Sequence, residues 1–153
     1  MPARLKNYLD KEGIKYVSIE RSPAFTMQEV AASAHLPGSL MAKTVIVELD
    51  GQMAMVVLPA NKRIILQDLR EVTGSEKVTF VSEQDFVAKF PDCEIGAMPP
   101  FGNLYDMEVY VAASLAQSAE IAFNAGTHTE VIKMSYADFE RLVRPKVLPS
   151  FTT

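Results

Sequence analysis

Two adjacent runs constrain this chain more than anything else in it: Lys43 to Leu49 and Gln52 to Leu58, joined by Asp50-Gly51. Both are rich in β-branched and long apolar residues, and a two-residue Asp-Gly connection favours a hairpin turn whose twist matches its strands. A half-exposed strand alternates apolar and polar residues. These two stay apolar on both faces, apart from a few positions such as Glu48. Strands of that kind are covered on both sides, so helices are expected over this sheet. At 153 residues the chain has room for one domain with a real core, because roughly 68–70% of the unfolded surface is buried at such a length.

The flanking sequence supplies further elements. Leu5, Tyr8 and Leu9 mark one face of a first helix that Gly13 stops, and Lys15 to Glu20 reads as a strand. Thr26 to Glu29 is a capping box before Val30, Ala31 and Ala34, and Pro37-Gly38 ends that helix. Arg63 to Leu66 reads as a strand, Gln67 to Thr73 as a short helix closed by Gly74, and Lys77 to Val81 as a strand. Ser82 caps a helix running to about Phe90, and Pro91 to Gly102 is a loop. Met107 to Val111, Glu120 to Phe123 and Glu130 to Met134 read as strands, with a turn from Asn124 to Thr127. Ser135 caps a last helix with Tyr136, Phe139 and Leu142 in a stripe. After about Val143 the periodicity breaks at Arg144, Pro145, Lys146 and Pro149, as in a short tail. The expected class is mixed α/β: a single domain over residues 1–153, with a curved mixed or antiparallel sheet flanked by helices.

Composition removes several functions. Hydrophobic residues make up 48% and charged ones 22%, an ordinary globular balance. The longest apolar run, Met53 to Ala60, is far shorter than a membrane span, and Met1 to Asp10 lacks a signal core. No membrane partner is expected. One cysteine and two histidines are too few for a cysteine/histidine zinc site, so no metal and no cofactor is expected. A reducing compartment fits the lone Cys93. The net charge of −4 disfavours a general nucleic-acid coat but not a contact with one nucleic-acid end. Nucleotide-loop, nucleophile-elbow and zinc-protease motifs are absent from the sequence.

Three features carry chemistry. Lys43 opens an otherwise apolar strand; it is either a solvated cation at a strand end or a lysine whose ammonium reaches a pocket to hold an anionic or carbonyl oxygen. Gly96 to Gly102 (G-A-M-P-P-F-G) is stiffened by two prolines and hinged by glycines, as in a rigid connector or a loop that pre-places amide donors for an oxyanion. Asn124 to Thr129 is a polar, glycine-containing turn, either a plain hairpin or a wall of donors facing a substrate. Cys93 with His128 forms a nucleophile–base pair only if geometry brings them together.

These three features, in this order, resemble the YbaK/prolyl-tRNA-synthetase-associated domain family of aminoacyl-tRNA deacylases. The similarity rests on Ala42-Lys43-Thr44-Val45, on the proline loop ending at Gly102 and on Phe123-Asn124-Ala125-Gly126, with Pro23 to Thr26 and Glu29 to Ala31 at the early helix entrance. It spans about Leu5 to Val143. It implies a trans-editing enzyme that hydrolyses the ester between a mischarged amino acid and the 3′ acceptor end of tRNA in the cytoplasm, with an aminoacyl-tRNA synthetase as a further partner; the small pocket expected between the two loops is what selects small amino acids. It carries Lys43 over as the residue positioning the 3′ end, Gly102 and Gly126 as backbone contacts near the carbonyl, and Asn124 as a selector of substrate.

One departure stands out. The family's V-D-E-S-L-like run is here Val111-Ala112-Ala113-Ser114-Leu115, with both acids gone. That keeps alive an inactive tRNA- or synthetase-binding module, and beside it a small-molecule ester hydrolase. For the editing reading, the two loops are expected to face each other across one small pocket with Lys43 on its floor or wall. Phe25, Met98 and Pro100 supply its apolar wall, and Thr26 and His128 its polar contacts. Asn61 to Arg63 and Arg141, Arg144 and Lys146 are basic candidates for phosphate.

Overall fold

The hairpin forms as its sequence requires. In a computed structural model that describes residues 1–20 and 41–153, β2 (Ala42–Leu49) pairs antiparallel with β3 (Gln52–Pro59), and Asp50 and Gly51 both take positive φ, +49° and +88°. The Asp50 carboxylate also accepts from the amides of Glu76 and Lys77, which fixes the approach of β4 (Val78–Phe80) to the outer side of β2. The capping-box helix expected from Thr26 to Pro37, and the site residues Phe25 and Thr26, lie outside the described residues.

β3 is the centre of a five-stranded mixed sheet. Its other edge pairs in parallel with β5 (Glu108–Ala112), which in turn pairs in parallel with β8 (Lys146–Leu148), giving the order β4-β2-β3-β5-β8. A second sheet, β1 (Tyr16–Glu20), β7 (Glu130–Ser135) and β6 (Glu120–Asn124), is antiparallel throughout. Among the described residues the two sheets are joined by one parallel bridge, Met41 to Ala122. The curved sheet anticipated from sequence is thus split, and the split lies where β2 begins.

Both faces of β3 are buried, because successive residues point to opposite sides. Met55 and Val57 enter the larger core with Phe101, Phe123 and Phe139, while Ala54, Val56 and Leu58 enter a second core with Leu69, Tyr110, Ala112, Leu148 and Phe151. Phe101 packs against Phe123 and Phe139 at centroid distances of 5.7 and 5.6 Å. Helix α1 (Ala3–Lys11) buries Leu5 and Leu9 in the larger core, and α2 (Leu66–Thr73) buries Leu69 in the other and ends on Gly74 at φ +70°.

Local readings at three places give way to packing. Arg63 to Leu66 is no regular strand: Ile64 makes one bridge to Thr152, and Leu66 already starts α2. The helix expected from Ser82 to Phe90 is one α-turn, α3 (Glu83–Phe86), followed by a 3₁₀ turn at Val87–Lys89. The segment after Val143 is built into the fold as β8, with Phe151 1% exposed and Ile65 N–H donating to the Phe151 carbonyl at 2.8 Å. A three-residue edge strand has no periodicity for a sequence pattern to show. After β5 comes the short helix α4 (Ala113–Ala116), and the last helix, α5 (Tyr136–Val143), begins as expected, with Ser135 Oγ accepting from the Asp138 amide at 3.0 Å. Ser135→Ala should cost about 1 kcal/mol of stability, read as a lower urea midpoint at unchanged slope; an unchanged midpoint would remove the cap from this account.

Candidate functional site

The bridge between the sheets sets the register of the candidate residues. Met41 lies opposite Ala122 in parallel, so two residues further along each strand Lys43 and Asn124 stand at the same level and on the same side as that pair. Beyond the bridge β2 and β6 pair within different sheets. Met41, Ala122 and Val131, with Ile19 and Ala60 against them, form a small apolar cluster at this seam. Lys43 is half-buried, cross-strand from Leu58 and therefore on the face of the second core.

Burial is the main reason that the Lys43 ammonium is held below the ordinary lysine pKa, and the nearby positive charge of Arg63 adds to it. Among the described residues no ion pair includes either cation. Ala112 explains part of this. It follows Val111, which pairs with Val57, and it shares the second core with Leu58. The missing acid would therefore sit on the same face as Lys43, two strands away, or about 10 Å at the usual strand spacing. Alanine keeps that row apolar and leaves the lysine without a carboxylate there.

The two loops meet, but edge to edge rather than across an open space. Glu94 N–H donates to the Gly126 carbonyl at 2.7 Å, and Gly126 N–H donates to the Ala97 carbonyl at 2.8 Å. The Glu94 carboxylate accepts from the His128 amide at 2.8 Å, and His128 Nε2 lies 2.8 Å from the Ile95 carbonyl. His128 is exposed and closes over Gly96, whose missing Cβ would sit 3.4 Å from the imidazole Cε1.

This geometry shows what packs against both glycines expected to contact the substrate carbonyl. The Gly126 amide is engaged by Ala97; its glycine is required by φ +87° and by Pro2, whose Cδ would lie 2.5 Å from a Cβ there. Gly102 is buried, and a Cβ on it would meet Val109 Cγ2 at 2.5 Å and the Met107 carbonyl at 2.6 Å. The close approach there is by the chain itself. Met98 and Pro100, expected on a pocket wall, are buried, Met98 within the larger core.

Cys93 does not pair with His128. Its thiol is 3.2 Å from the Tyr105 hydroxyl, which donates to Asp92 Oδ1 at 3.2 Å, and Asp92 is held by Arg4 at 2.6 Å. Burial pushes the thiol pKa up, the reverse of what an activated nucleophile needs. Among the described residues no group of three metal-ligating side chains gathers, and no helix is long and apolar enough to cross a membrane.

A cleft of about 650 Å³ opens at the other end of the hairpin, lined among others by Glu48, Asp50, Lys89, Tyr105, Asp106 and Glu108. It lies about seven residues along β2 from Lys43, or about 23 Å at 3.3 Å per residue. Among the described residues no candidate lines it, and four carboxylates against one lysine would repel a polyanion. Size alone does not make it the site.

Sequence reasoning missed Glu94 and Pro2, which fix the turn after Asn124, and the apolar seam at Met41 and Ala122. Glu94 reaches His128 across 34 residues with no local motif to mark it. Met41 preceding Lys43 at strand spacing was the one available signal.

A five-stranded mixed sheet and a three-stranded antiparallel sheet joined at the Met41–Ala122 bridge, two residues before a lysine and an asparagine, with two interlocked loops, make up a mixed α/β domain. A family model for the aminoacyl-tRNA editing domain matches residues 21–142, and the chain belongs to that family. Among proteins of known role, it is 29% identical over 142 residues to the prolyl-tRNA editing protein ProX of Acetoanaerobium sticklandii, covering 89% of this chain and 86% of that one. Among solved structures, the hypothetical protein APE2540 superposes with a TM-score of 0.84 at 20% identity, covering 98% and 99% of the two chains. A candidate trans-editing enzyme for prolyl tRNA synthetase follows at 0.79 and 17%, covering 95% and 94%. The fold and the family read from the motifs are both borne out.

Proposed function

We propose that this protein is a trans-editing aminoacyl-tRNA deacylase that acts in the cytoplasm on tRNA carrying a wrong, small amino acid. The observation that carries the reading is the placement of Lys43 and Asn124 at one level of the sheet seam in a chain of the editing family. The reaction is ester hydrolysis. Water adds to the ester carbonyl carbon, and the tetrahedral oxyanion collapses with cleavage of the bond to the ribose oxygen. That oxygen takes a proton, and the free amino acid and an intact tRNA 3′ end depart. An aminoacyl ester is already activated and its neighbouring ribose hydroxyl can relay a proton, so orientation and charge stabilisation matter more than a strong nucleophile.

In this reading the Lys43 ammonium holds an oxygen of the 3′ end, and Asn124 orients the aminoacyl group. The engaged amide of Gly126 shapes the turn that presents Asn124 rather than binding the carbonyl. The prolyl-tRNA named for the relative makes tRNA for proline the first substrate to try, loaded with alanine, cysteine or serine. One missing methylene changes binding by only about 1–3 kcal/mol, so selection among small amino acids is expected to be incomplete.

Ala112 and Ala113 favour one other reading, a module that binds tRNA or a synthetase without turnover. Incubation with a panel of mischarged tRNAs separates the two. Release of free amino acid well above the spontaneous rate, for at least one small amino acid, supports the deacylase. Tight tRNA binding with no release across the panel would overturn it in favour of the module.

A further inference from the structure

The family model ends at residue 142, yet the residues after it are not an appendage. β8 extends the central sheet, Leu148 and Phe151 complete the second core, and the chain then returns alongside residues 63–65. Three backbone amides lock the two stretches together. Ile65 N–H donates to the Phe151 carbonyl at 2.8 Å, Thr153 N–H to the Arg63 carbonyl at 3.0 Å, and Arg63 N–H to Thr153 Oγ1 at 3.2 Å, around the Ile64–Thr152 bridge.

The stretch so held carries a basic turn. Pro59, at the end of β3, lies cross-strand from Ala42; Lys62 N–H closes a turn on the Pro59 carbonyl at 3.0 Å, and Ala60 N–H donates to the Met41 carbonyl at 2.7 Å. Asn61, Lys62 and Arg63 are therefore presented, exposed, at the end of the sheet where Lys43 and the seam lie. A surface turn of this kind would ordinarily fluctuate; here its backbone is clamped on one side by β3 and on the other by the C-terminal segment. Two cations near enough for one to disfavour the other's charge, with no acid paired to either among the described residues, are a poor arrangement for an empty surface. An anion placed between them offsets that cost.

We propose that Arg63 is a phosphate-binding group for the single-stranded 3′ end of the RNA, acting beside Lys43, and that residues 146–153 are the element that positions it. This deepens the editing reading and rests on it for the identity of the anion. Arg63 contributes grip on the backbone rather than chemistry at the ester. Thr153 and Phe151 act through Arg63 and are positioning residues.

The probe is an uncharged RNA hairpin with a single-stranded 3′ acceptor overhang, titrated by fluorescence anisotropy between about 50 and 200 mM salt. Arg63→Gln should weaken binding about tenfold at the low-salt end, the loss expected for one charge-assisted contact. It should also lower the slope of log K against log salt by about 0.7, the value for one phosphate on a single strand. Arg63→Lys should restore the slope. Thr153→Val and Phe151→Ala should move affinity and slope in the direction of Arg63→Gln; Thr153→Val, with its small change of shape, serves should Phe151→Ala fail to fold. A purely structural role would change stability and leave the slope alone. Binding by Arg63→Gln indistinguishable from the native protein at every salt overturns the inference, as does absence of RNA binding by the native protein. If the slope change is found and no mischarged tRNA is deacylated, the inference stands and the enzyme reading falls.

Discussion

Lys43→Ala should reduce deacylation of the best substrate by at least about tenfold, since one lost charge-assisted contact is worth about 1.5–3 kcal/mol. The fold should survive. Lys43 is half-buried at the start of β2, pairs cross-strand with Leu58 through backbone that alanine supplies equally well, and makes, among the described residues, no ion pair whose loss would strand a buried acid. Lys43→Met keeps most of the stem and removes only the charge, so it should be as inactive as alanine while unfolding at the native urea midpoint. Turnover unchanged in either folded variant would defeat the assignment of Lys43.

The pH dependence of the native protein gives a second check. Burial first, and the charge of Arg63 second, hold the Lys43 pKa below 10.5. Substrate binding through the ammonium should therefore weaken on the alkaline side at a pH below that of a free lysine. Stability runs the other way. Between the native pKa and the unfolded value the unfolded chain binds more protons at this site, so this residue's contribution to stability rises with pH. A binding loss traced to Lys43 thus cannot be unfolding driven by the same group, and Arg63→Gln, by removing one cause, should move the alkaline limb upward.

Much of the fold was legible because it is encoded locally. The Asp50-Gly51 turn, the two-faced apolar runs beside it and Ser135 with the stripe after it each act over a few residues, where sequence spacing and spatial spacing coincide. β8 is three residues long, and its one buried residue, Leu148, joins with Phe151 a core shared with Leu58 and Leu69, far away in sequence. The candidate residues were legible to the same extent: Lys43 opens an otherwise apolar strand, and Asn124 begins a polar, glycine-containing turn. Their common level follows from a single bridge, Met41 to Ala122, which no periodicity announces. The packing at the glycines was not legible for a related reason: a sequence shows that a side chain is missing but not what fills its place. At Gly126 the space is filled by Pro2, and at Gly102 by β5 and the residue before it.

That difference makes Gly102→Val the most damaging substitution in the proline loop. From the motif alone, valine would block a ligand and spare the fold. In the structure the first added carbon would already overlap Val109 Cγ2 at 2.5 Å and the Met107 carbonyl at 2.6 Å. The Val109 side chain could turn away, at some cost to the larger core. The Met107 carbonyl is backbone, and the chain there is tied down by the Met107 amide donating to the Gly102 carbonyl at 2.9 Å. Relief therefore requires the loop and the entry to β5 to move apart, which undoes packing around Phe101. Overpacking of this kind costs about 1–3 kcal/mol for a small excess and more when backbone must shift, against a total stability of about 5–15 kcal/mol for a domain. Gly102→Ala should lower the urea midpoint clearly, and Gly102→Val should leave little folded protein near body temperature. Gly51→Ala is the control. Gly51 has nothing within 4 Å of its Cβ position but a φ of +88°, so it reports backbone strain alone and should cost about 1 kcal/mol. A Gly102→Val protein with the native midpoint and no activity would restore the ligand-approach reading of this glycine and refute the packing one.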